Sequence, residues 1–420
     1  MSNLLKLGIC GWGNIATGLF EQLHENSTLQ TSGIEFVITC IGARRDNPNC
    51  DPGTVKVVRD IFEVIDQDVD VVVELIGGTD TAKELIAKAL NAGKHVITAN
   101  KAVIFEHGNE LISLAIKNNV ELLFEAAVCA GTPIVKLLSN DLGANDVSKI
   151  SGMLNGTSNF ILSSMEDGDS YEKVLNIAKD KGYAEPDPSL DVNGTDAAHK
   201  IGILSALAFN TDLPPSDFHI EGIEDITEDD FKYADQFGYT LKHLAVAKQN
   251  NHEIELRAHP VLLPKRSRLS NLKGVRNGIQ VDTNLVGEFN IAGSGAGKES
   301  TASGLISDLI ALAKFKDANP MKYPSFDKTS QIASFHDLSF TYYLYLETTD
   351  ASTDIDEINN IFSEQGVTLD QIIKPDKDSN GNTTIVAFTN LAKEKDLQKS
   401  LARLNDVQGV VKSKVIRIEE

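Results

Sequence analysis

Between Gly182 and Lys200 the chain reads GYAEPDPSLDVNGTDAAHK. Three carboxylates, Glu185, Asp187 and Asp191, sit on a proline-rich loop, and a helix follows that carries Asp196 and Lys200 one turn apart. The chain then continues as Ile201–Phe209, almost wholly apolar. On an exposed helix, an aspartate and a lysine spaced i, i+4 make an ion pair worth a few tenths of a kcal/mol. The apolar continuation argues instead for a helix sunk into the protein. Buried carboxylates beside such a lysine would hold a cationic substrate group next to a proton donor. The helix dipole and partial burial lower a lysine's pKa, and a neighbouring aspartate raises it, so the net shift stays open. His199 reads as an ordinary helix residue. The DPSLDVNG run is no calcium loop, because Val192 stands where the turn glycine is needed and Ala198 where the closing glutamate is.

A second constellation lies near the start. Gly11-Trp12-Gly13-Asn14-Ile15-Ala16 follows an expected strand, Leu4–Ile9, and opens an expected helix, Ile15–His24. Gly11 permits the tight turn, Gly13 lets the backbone approach a pyrophosphate, and Ala16 keeps helix and sheet close. The free N–H groups of the helix end then face the phosphates. An acid at the end of the second strand would accept a ribose 2′-OH, but here the strand ends Gly42-Ala43-Arg44-Arg45. Two arginines suit a 2′-phosphate, so NADP is the expected cofactor, with NAD the alternative. Asn100-Lys101 follows another strand at the edge where open α/β sheets bind ligands. The small-residue loop from Glu125 to Pro133 offers bare carbonyls to a hard monovalent cation.

These residues need a frame. Expected strands at Glu35–Ile41, Val69–Ile76, His95–Thr98 and Glu121–Phe124 alternate with helices at Thr81–Ala92 and Asn109–Asn118. The run VDVVVELI has the continuous apolar pattern of a strand buried on both faces. Together they predict a doubly wound α/β domain of Rossmann type. From Pro133 the pattern turns mixed, with strands at Glu253–Pro264 and Gly278–Gly287. Thr301–Leu312 reads as a helix returning to the first domain. The tail reads strand, helix, strand, strand, helix, strand. The expected division is 1–132 for the dinucleotide, with 300–317 packed back on it, 133–299 for substrate and dimerisation, 318–337 as linker, and 338–420 as a small sensing or pairing module.

The chain has 420 residues, enough for two or three domains, and a net charge of −21. That charge argues against nucleic acid and anionic membranes. Cys10, Cys40, Cys50 and Cys129 have no metal-type spacing and imply no disulfide framework. A cytoplasmic protein with a small-molecule substrate is expected. No bilayer-spanning run or secretory signal is expected.

Taken together, GWGNIATG (Gly11–Gly18), VELIGG (Val73–Gly78), TANKA (Thr98–Ala102), EAAVCAGTP (Glu125–Pro133), NGTSNFIL (Asn155–Leu162), Gly182–Lys200 and GSGAGKESTAS (Gly293–Ser303) resemble the homoserine dehydrogenases over nearly the whole chain. The tail is similar to an ACT domain. The resemblance implies NAD(P)H-dependent reduction of L-aspartate 4-semialdehyde to L-homoserine, on the way to threonine, methionine and isoleucine. It implies Lys200 as proton donor, Lys101 as a second catalytic lysine, Asp196 as orienting group, and Glu185, Asp191 and Asp196 around the amino acid. It adds Gly77, Gly78, Lys101 and Gly297 to the cofactor contacts at Gly11, Trp12, Gly13, Asn14, Ile15, Arg44 and Arg45. It implies a sodium ion on the carbonyls of Glu125, Val128, Ala130 and Thr132, and a homo-oligomer, dimer or tetramer. Cys129 and Ser294 depart from the family pattern, the latter without expected consequence. The tail segment Thr349–Ile355 lacks the usual turn glycine, which points to subunit pairing rather than amino-acid binding. Two other classes are an NADP-dependent oxidoreductase acting on another small amino-acid semialdehyde and a non-catalytic NADP or amino-acid sensor.

Overall fold

The computed structural model describes residues 3–30, 33–251, 253–314, 329, 331–349, 355–373 and 382–419. Most of the expected linker, 318–337, and the tail turn at 350–354 lie outside the described residues. The first unit is a six-stranded parallel sheet in the order β3-β2-β1-β4-β5-β6. Its strands are β1 (Asn3–Cys10), β2 (Ile34–Gly42), β3 (Lys56–Val58), β4 (Val71–Glu74), β5 (His95–Thr98) and β6 (Leu122–Leu123). The helices are α1 (Asn14–Glu25), the single turn α2 (Ser27–Gln30), α3 (Asp80–Asn91) and α4 (Lys101–Asn118). Strand order reverses between β1 and β4, and such sheets open a crevice at that point. Val71, Val72 and Val73 are completely buried, as their continuous apolar run requires.

Two expectations shift here. β4 stops at Glu74 rather than running to Ile76, because the Glu74 carboxylate accepts from the Ile76 and Gly77 N–H groups and turns the chain out of the strand. α4 begins at Lys101 rather than Asn109. Asn100 caps it, its Oδ1 accepting from Val103 N–H at 3.2 Å. Val103, Ile104, Phe105 and Gly108 are poor helix formers, but all four are buried, and packing outweighs propensity.

The second unit holds β7 (Val147–Met153), α5 (Gly156–Glu166), α6 (Tyr171–Asp180), the single turn α7 (Ser189–Val192), α8 (Thr195–Phe209), β8 (His219–Ile220), α9 (Glu228–Gln236), β9 (Tyr239–Asn250), β10 (Glu253–Pro264), β11 (Arg276–Thr283), β12 (Glu288–Ser294) and α10 (Lys298–Lys314). The strand expected to run to Gly287 ends at Thr283, where a turn closes by Thr283 N–H donating to Gly287 O at 3.0 Å. α10 packs on α1: Lys298 pairs with Glu21 at 2.6 Å. A Cβ on Gly18 would lie 2.6 Å from the Lys298 side chain.

The tail comprises β13 (Ser339–Thr348), α11 (Ile355–Ser363), β14 (Leu369–Ile373), β15 (Thr383–Thr389), the two-residue β16 (Ala392–Lys393), α12 (Glu394–Leu404) and β17 (Val410–Ile418). Its sheet is not separate. β17 pairs in parallel with β10, so one mixed sheet runs β12-β11-β7-β9-β10-β17-β13-β15-β14. No described helix is long and apolar enough to cross a membrane.

Candidate active site

Two glycines open the crevice in different ways. Gly11 adopts φ +100°, and a Cβ there would lie 2.5 Å from the Leu75 carbonyl oxygen. Gly13 faces open space, since a Cβ would meet nothing within 4 Å. The fold therefore requires the first glycine, while the second leaves room for a ligand at the N-terminus of α1. Asn14 is exposed and Ile15 half-buried at that same helix end. A cavity of about 810 Å³ runs along the ends of β1, β2 and β4, touching Gly11–Gly13, Gly42–Arg45, Arg59 and Leu75–Gly77. Trp12 forms part of its wall, pinned by its indole N–H donating to Cys50 O at 3.2 Å.

Arg44 and Arg45 are exposed beside this cavity, and Arg59 joins them. The Arg59 guanidinium donates to Asp46 Oδ1 at 2.7 Å and to Ala43 O at 3.3 Å. Arg59 lies on the loop after β3, where no local pattern marks it; only the fold brings it to the arginine pair. Gly77 and Gly78 have φ near +70° and open space in front of them. Gly297, φ +110°, directly precedes α10.

Glu74 was not singled out by its sequence context, yet it organises this edge. Its fully buried carboxylate accepts from Ile76 N–H at 2.8 Å and Thr98 Oγ1 at 2.5 Å. Burial pushes its pKa up against those hydrogen bonds. Thr98 Oγ1 in turn accepts from Asn100 N–H, and the Asn100 amide donates to Gly78 O at 2.6 Å. The loops after β4 and β5 are thereby fastened together, and Lys101 becomes the first residue of α4.

Lys101 and Lys200 meet on one carboxylate. Asp196 Oδ1 lies 2.9 Å from Lys101 Nζ, and Asp196 Oδ2 lies 2.7 Å from Lys200 Nζ. Lys200 also donates to the Leu154 carbonyl at 2.7 Å. Asn155, which caps α5, donates from Nδ2 to Asp196 Oδ2 at 2.8 Å and to Asp191 Oδ1 at 2.7 Å. Asp196 and Lys200 are 6% and 8% exposed, and the Lys101 side chain is 34% exposed. Burial works against a charged Asp196, but the two ammonium groups outweigh it and hold the carboxyl well below the usual range. Burial likewise pulls Lys200 down, yet Asp196 beside it wins, and the amine sits above its ordinary value. The sign left open by the sequence is thus settled by the ion pair, not by the helix dipole. Burial raises the half-buried Asp191.

Glu185 and Asp187 are exposed on the loop. Among the described residues, neither contacts the Asp196 centre; the Asp187 carboxylate accepts from Ser189 N–H at 3.1 Å. His199 stacks on Phe105 with ring centroids 4.6 Å apart, in the seam between α4 and α8. Asn155 and the Leu154 carbonyl were missed as site groups. An N-cap asparagine is visible in the sequence, but its second task, bridging two aspartates, is not.

The loop after β6 is buried. The Glu125 carboxylate accepts from the N–H groups of Val135 (3.0 Å) and Lys136 (2.9 Å). Cys129 is buried and adopts φ +51°. The main-chain carbonyl of Ser294 accepts from Gly131 N–H (3.1 Å) and Thr132 Oγ1 (3.3 Å), clamping the loop to the end of β12.

Residues 133–310 match the family described as homoserine dehydrogenase, and residues 11–125 match the homoserine dehydrogenase NAD-binding domain. The homoserine dehydrogenase of Pseudomonas aeruginosa is 38% identical over 429 residues, covering 99% of each chain. The chain belongs to the homoserine dehydrogenase family. The crystal structure of a homoserine dehydrogenase from Thiobacillus denitrificans superposes with a TM-score of 0.92 at 34% identity, covering 99% of this chain and 98% of that one. A hyperthermophilic archaeal homoserine dehydrogenase in complex with NADPH superposes with a TM-score of 0.64 at 27% identity, covering 75% of this chain and 99% of its own. Members of this family are NAD(P)-dependent oxidoreductases.

Proposed function

We propose that the chain reduces L-aspartate 4-semialdehyde to L-homoserine with NADPH as the preferred cofactor, and that Asp196, Lys200 and Lys101 form the reacting centre. The bound nicotinamide nucleotide supplies the hydride. The crevice fits that group: Gly13 leaves a space free of Cβ at a helix N-terminus, and Arg44, Arg45 and Arg59 line the cavity, a donor set that suits a 2′-phosphate. An NADPH-bound relative with the same fold supports the choice of nucleotide.

Asp196 balances one of the two ammonium charges around it. The other remains to stabilise negative charge as the aldehyde oxygen becomes an alkoxide. Lys200 spends two N–H bonds on Leu154 O and Asp196, which aims the third. That third N–H donates the proton to the alkoxide. Lys101 is more accessible and supports cofactor and substrate together. Asp191, held by Asn155, and Glu185 on the loop take the substrate ammonium. The single observation carrying this reading is one buried carboxylate shared by lysines from both units.

The same proposal divides the chain into 1–132 for the nucleotide with 300–317 packed on it, 133–299 for substrate and dimer contacts, and 338–420 as an ACT-like module. A sodium ion would rest on the carbonyls of Glu125, Val128, Ala130 and Thr132. Among the described residues, no hydrogen bond ends on the carbonyls of Val128 or Ala130, and no group of three His, Cys, Asp or Glu side chains is placed to hold a metal. Neutral oxygen donors suit a hard monovalent cation.

The test is NADP+ reduction with L-homoserine beside NADPH oxidation with the semialdehyde. Turnover in both directions that falls sharply in Lys200→Ala is expected. Near-wild-type turnover in that variant would sink the assignment.

A further inference from the structure

The last strand of the chain reaches the catalytic helix through contacts the proposed mechanism does not use. β17 pairs with β10 at Val261–Arg417 and Leu262–Ile418. Arg417 is buried. Its Nε and Nη2 donate to Glu394 at 2.9 and 2.7 Å, and its Nη1 crosses to Glu221 Oε2 at 2.7 Å.

Glu221 directly follows β8, and its N–H donates to Ala258 O at 2.9 Å. Its carbonyl accepts from His243 Nε2 at 3.0 Å. Two residues on, Ile223 N–H donates to Val192 O at 2.8 Å. Between them, a Cβ on Gly222 would lie 2.5 Å from Val192 O and 2.8 Å from Asn193 Cα. A Cβ on Gly194, φ +87°, would lie 3.0 Å from His243 Nε2 and 3.1 Å from Glu221 O. Residues 220–223 with His243 are therefore the wall against which the turn 192–194 rests. That turn and Thr195 are all the chain between Asp191 and Asp196.

We propose that Glu221, anchored by Arg417 of the C-terminal strand, is a positioning residue that sets where Asp191 and Asp196 stand, and through Asp196 where Lys200 points. This rests on the Asp196–Lys200 centre as the reacting site. Docking of the tail does not depend on Glu221 alone, because Lys414 pairs with Asp230 and Glu419 pairs with Lys149 and Arg257 at 2.7 Å. Glu221 is moreover the half-exposed member of its pair, its side chain 41% exposed, so its charge can be removed without leaving a hole in the core.

Full-length Glu221→Gln and Gly222→Ala are compared with wild type and with Lys414→Gln, a tail contact off this route. In Glu221→Gln the KM for L-homoserine rises about tenfold, kcat falls less, and the KM for NADP+ stays put. Gly222→Ala, which pushes directly on Val192, gives the larger change in the same direction. Lys414→Gln lowers the melting temperature and leaves both KM values alone. Amide hydrogen exchange at 192–196 speeds up about tenfold in Glu221→Gln, while exchange in α1 is unaltered. The idea is overturned if homoserine KM and exchange at 192–196 stay within about twofold of wild type. It is equally overturned if both KM values rise together in all three variants, the mark of general loosening. A wild type that does not oxidise L-homoserine would instead remove the functional reading, and hydrogen exchange alone then decides the positioning role.

Discussion

At the carboxyl edge of the parallel sheet the molecule works by leaving side chains out; around Asp196 it works by burying charged ones. Gly11, Gly13, Gly42 and Gly77 line the nucleotide crevice beside Trp12 and three arginines, and the glycines leave main chain within reach of a ligand. At the lysine centre Asp196 and Lys200 are buried and paired, and three separate segments supply its parts: 100–101, 154–155 and 191–200. Binding a large anionic nucleotide needs close backbone approach and free N–H groups. Protonating an alkoxide needs a charge held still in a low-dielectric place. The first device resists substitution where a glycine is packed or strained, as at Gly11 and Gly42, and leaves room at Gly13, whereas the second should lose chemistry with any one of its members.

The largest expected effect breaks the second side of this comparison. Lys200→Ala should lower kcat/KM for homoserine oxidation about 10³-fold, with the dissociation constant for NADP+ unchanged by titration. Next, Gly13→Val should weaken NADP+ binding about 100-fold while the melting temperature holds, because its side chain enters empty space. Gly11→Ala should behave differently and lose stability, since it collides with Leu75 O in a conformation alanine resists. Equal losses of stability in the two variants would erase the distinction drawn between these glycines.

Arg44→Ala together with Arg45→Ala should cut the NADP-over-NAD preference about tenfold, read as the ratio of kcat/KM values for the two cofactors. An unchanged ratio would leave Arg59 as the recognition group.

Two pH effects sharpen the account of the buried side. Lys200 lies above its ordinary pKa, and in the proposed mechanism homoserine oxidation uses its neutral form as base. Oxidation should therefore keep rising into alkaline pH, and reduction should not show that rise. A plateau below neutrality would contradict the ion-pair explanation. The smallest effect concerns stability. His243 is held below its usual pKa by burial, and His259 further below by burial with Arg417 and Arg257 beside it. The unfolded chain takes up protons at both near pH 6.5, and the folded chain does not. Stability from these two groups is lost as pH falls below about 6.5, at up to about 1.4 kcal/mol per pH unit for His259. Glu125 and Asp308, whose carboxyls burial raises, act with the opposite sign further down. Melting temperatures from pH 7.5 to 5.5 for wild type and His259→Asn check this, the variant showing the shallower fall.

Much of the first side was legible from sequence. A glycine turn after a strand and before a helix is a local pattern, and so is a strand buried on both faces. The i, i+4 placement of Asp196 and Lys200 was equally local. The early start of α4 was not, because its poor helix formers are held by packing against α8, a contact far away along the chain. Asn155, Glu74 and Arg59 escaped for the same reason: each acts on a group brought near by the fold.

Sequence by itself determined which residues could do chemistry, and the periodicities that make a parallel sheet followed by a mixed one, since turns, caps and amphipathic spacing are set within a few residues. Only the tertiary structure decided that Lys101 joins Lys200 on a single carboxylate, that this pairing lifts the amine rather than lowering it, and that the tail adds its strand to the same sheet as the catalytic unit. Those outcomes depend on desolvation and on distances between groups many residues apart, and neither is encoded in any local stretch of the chain.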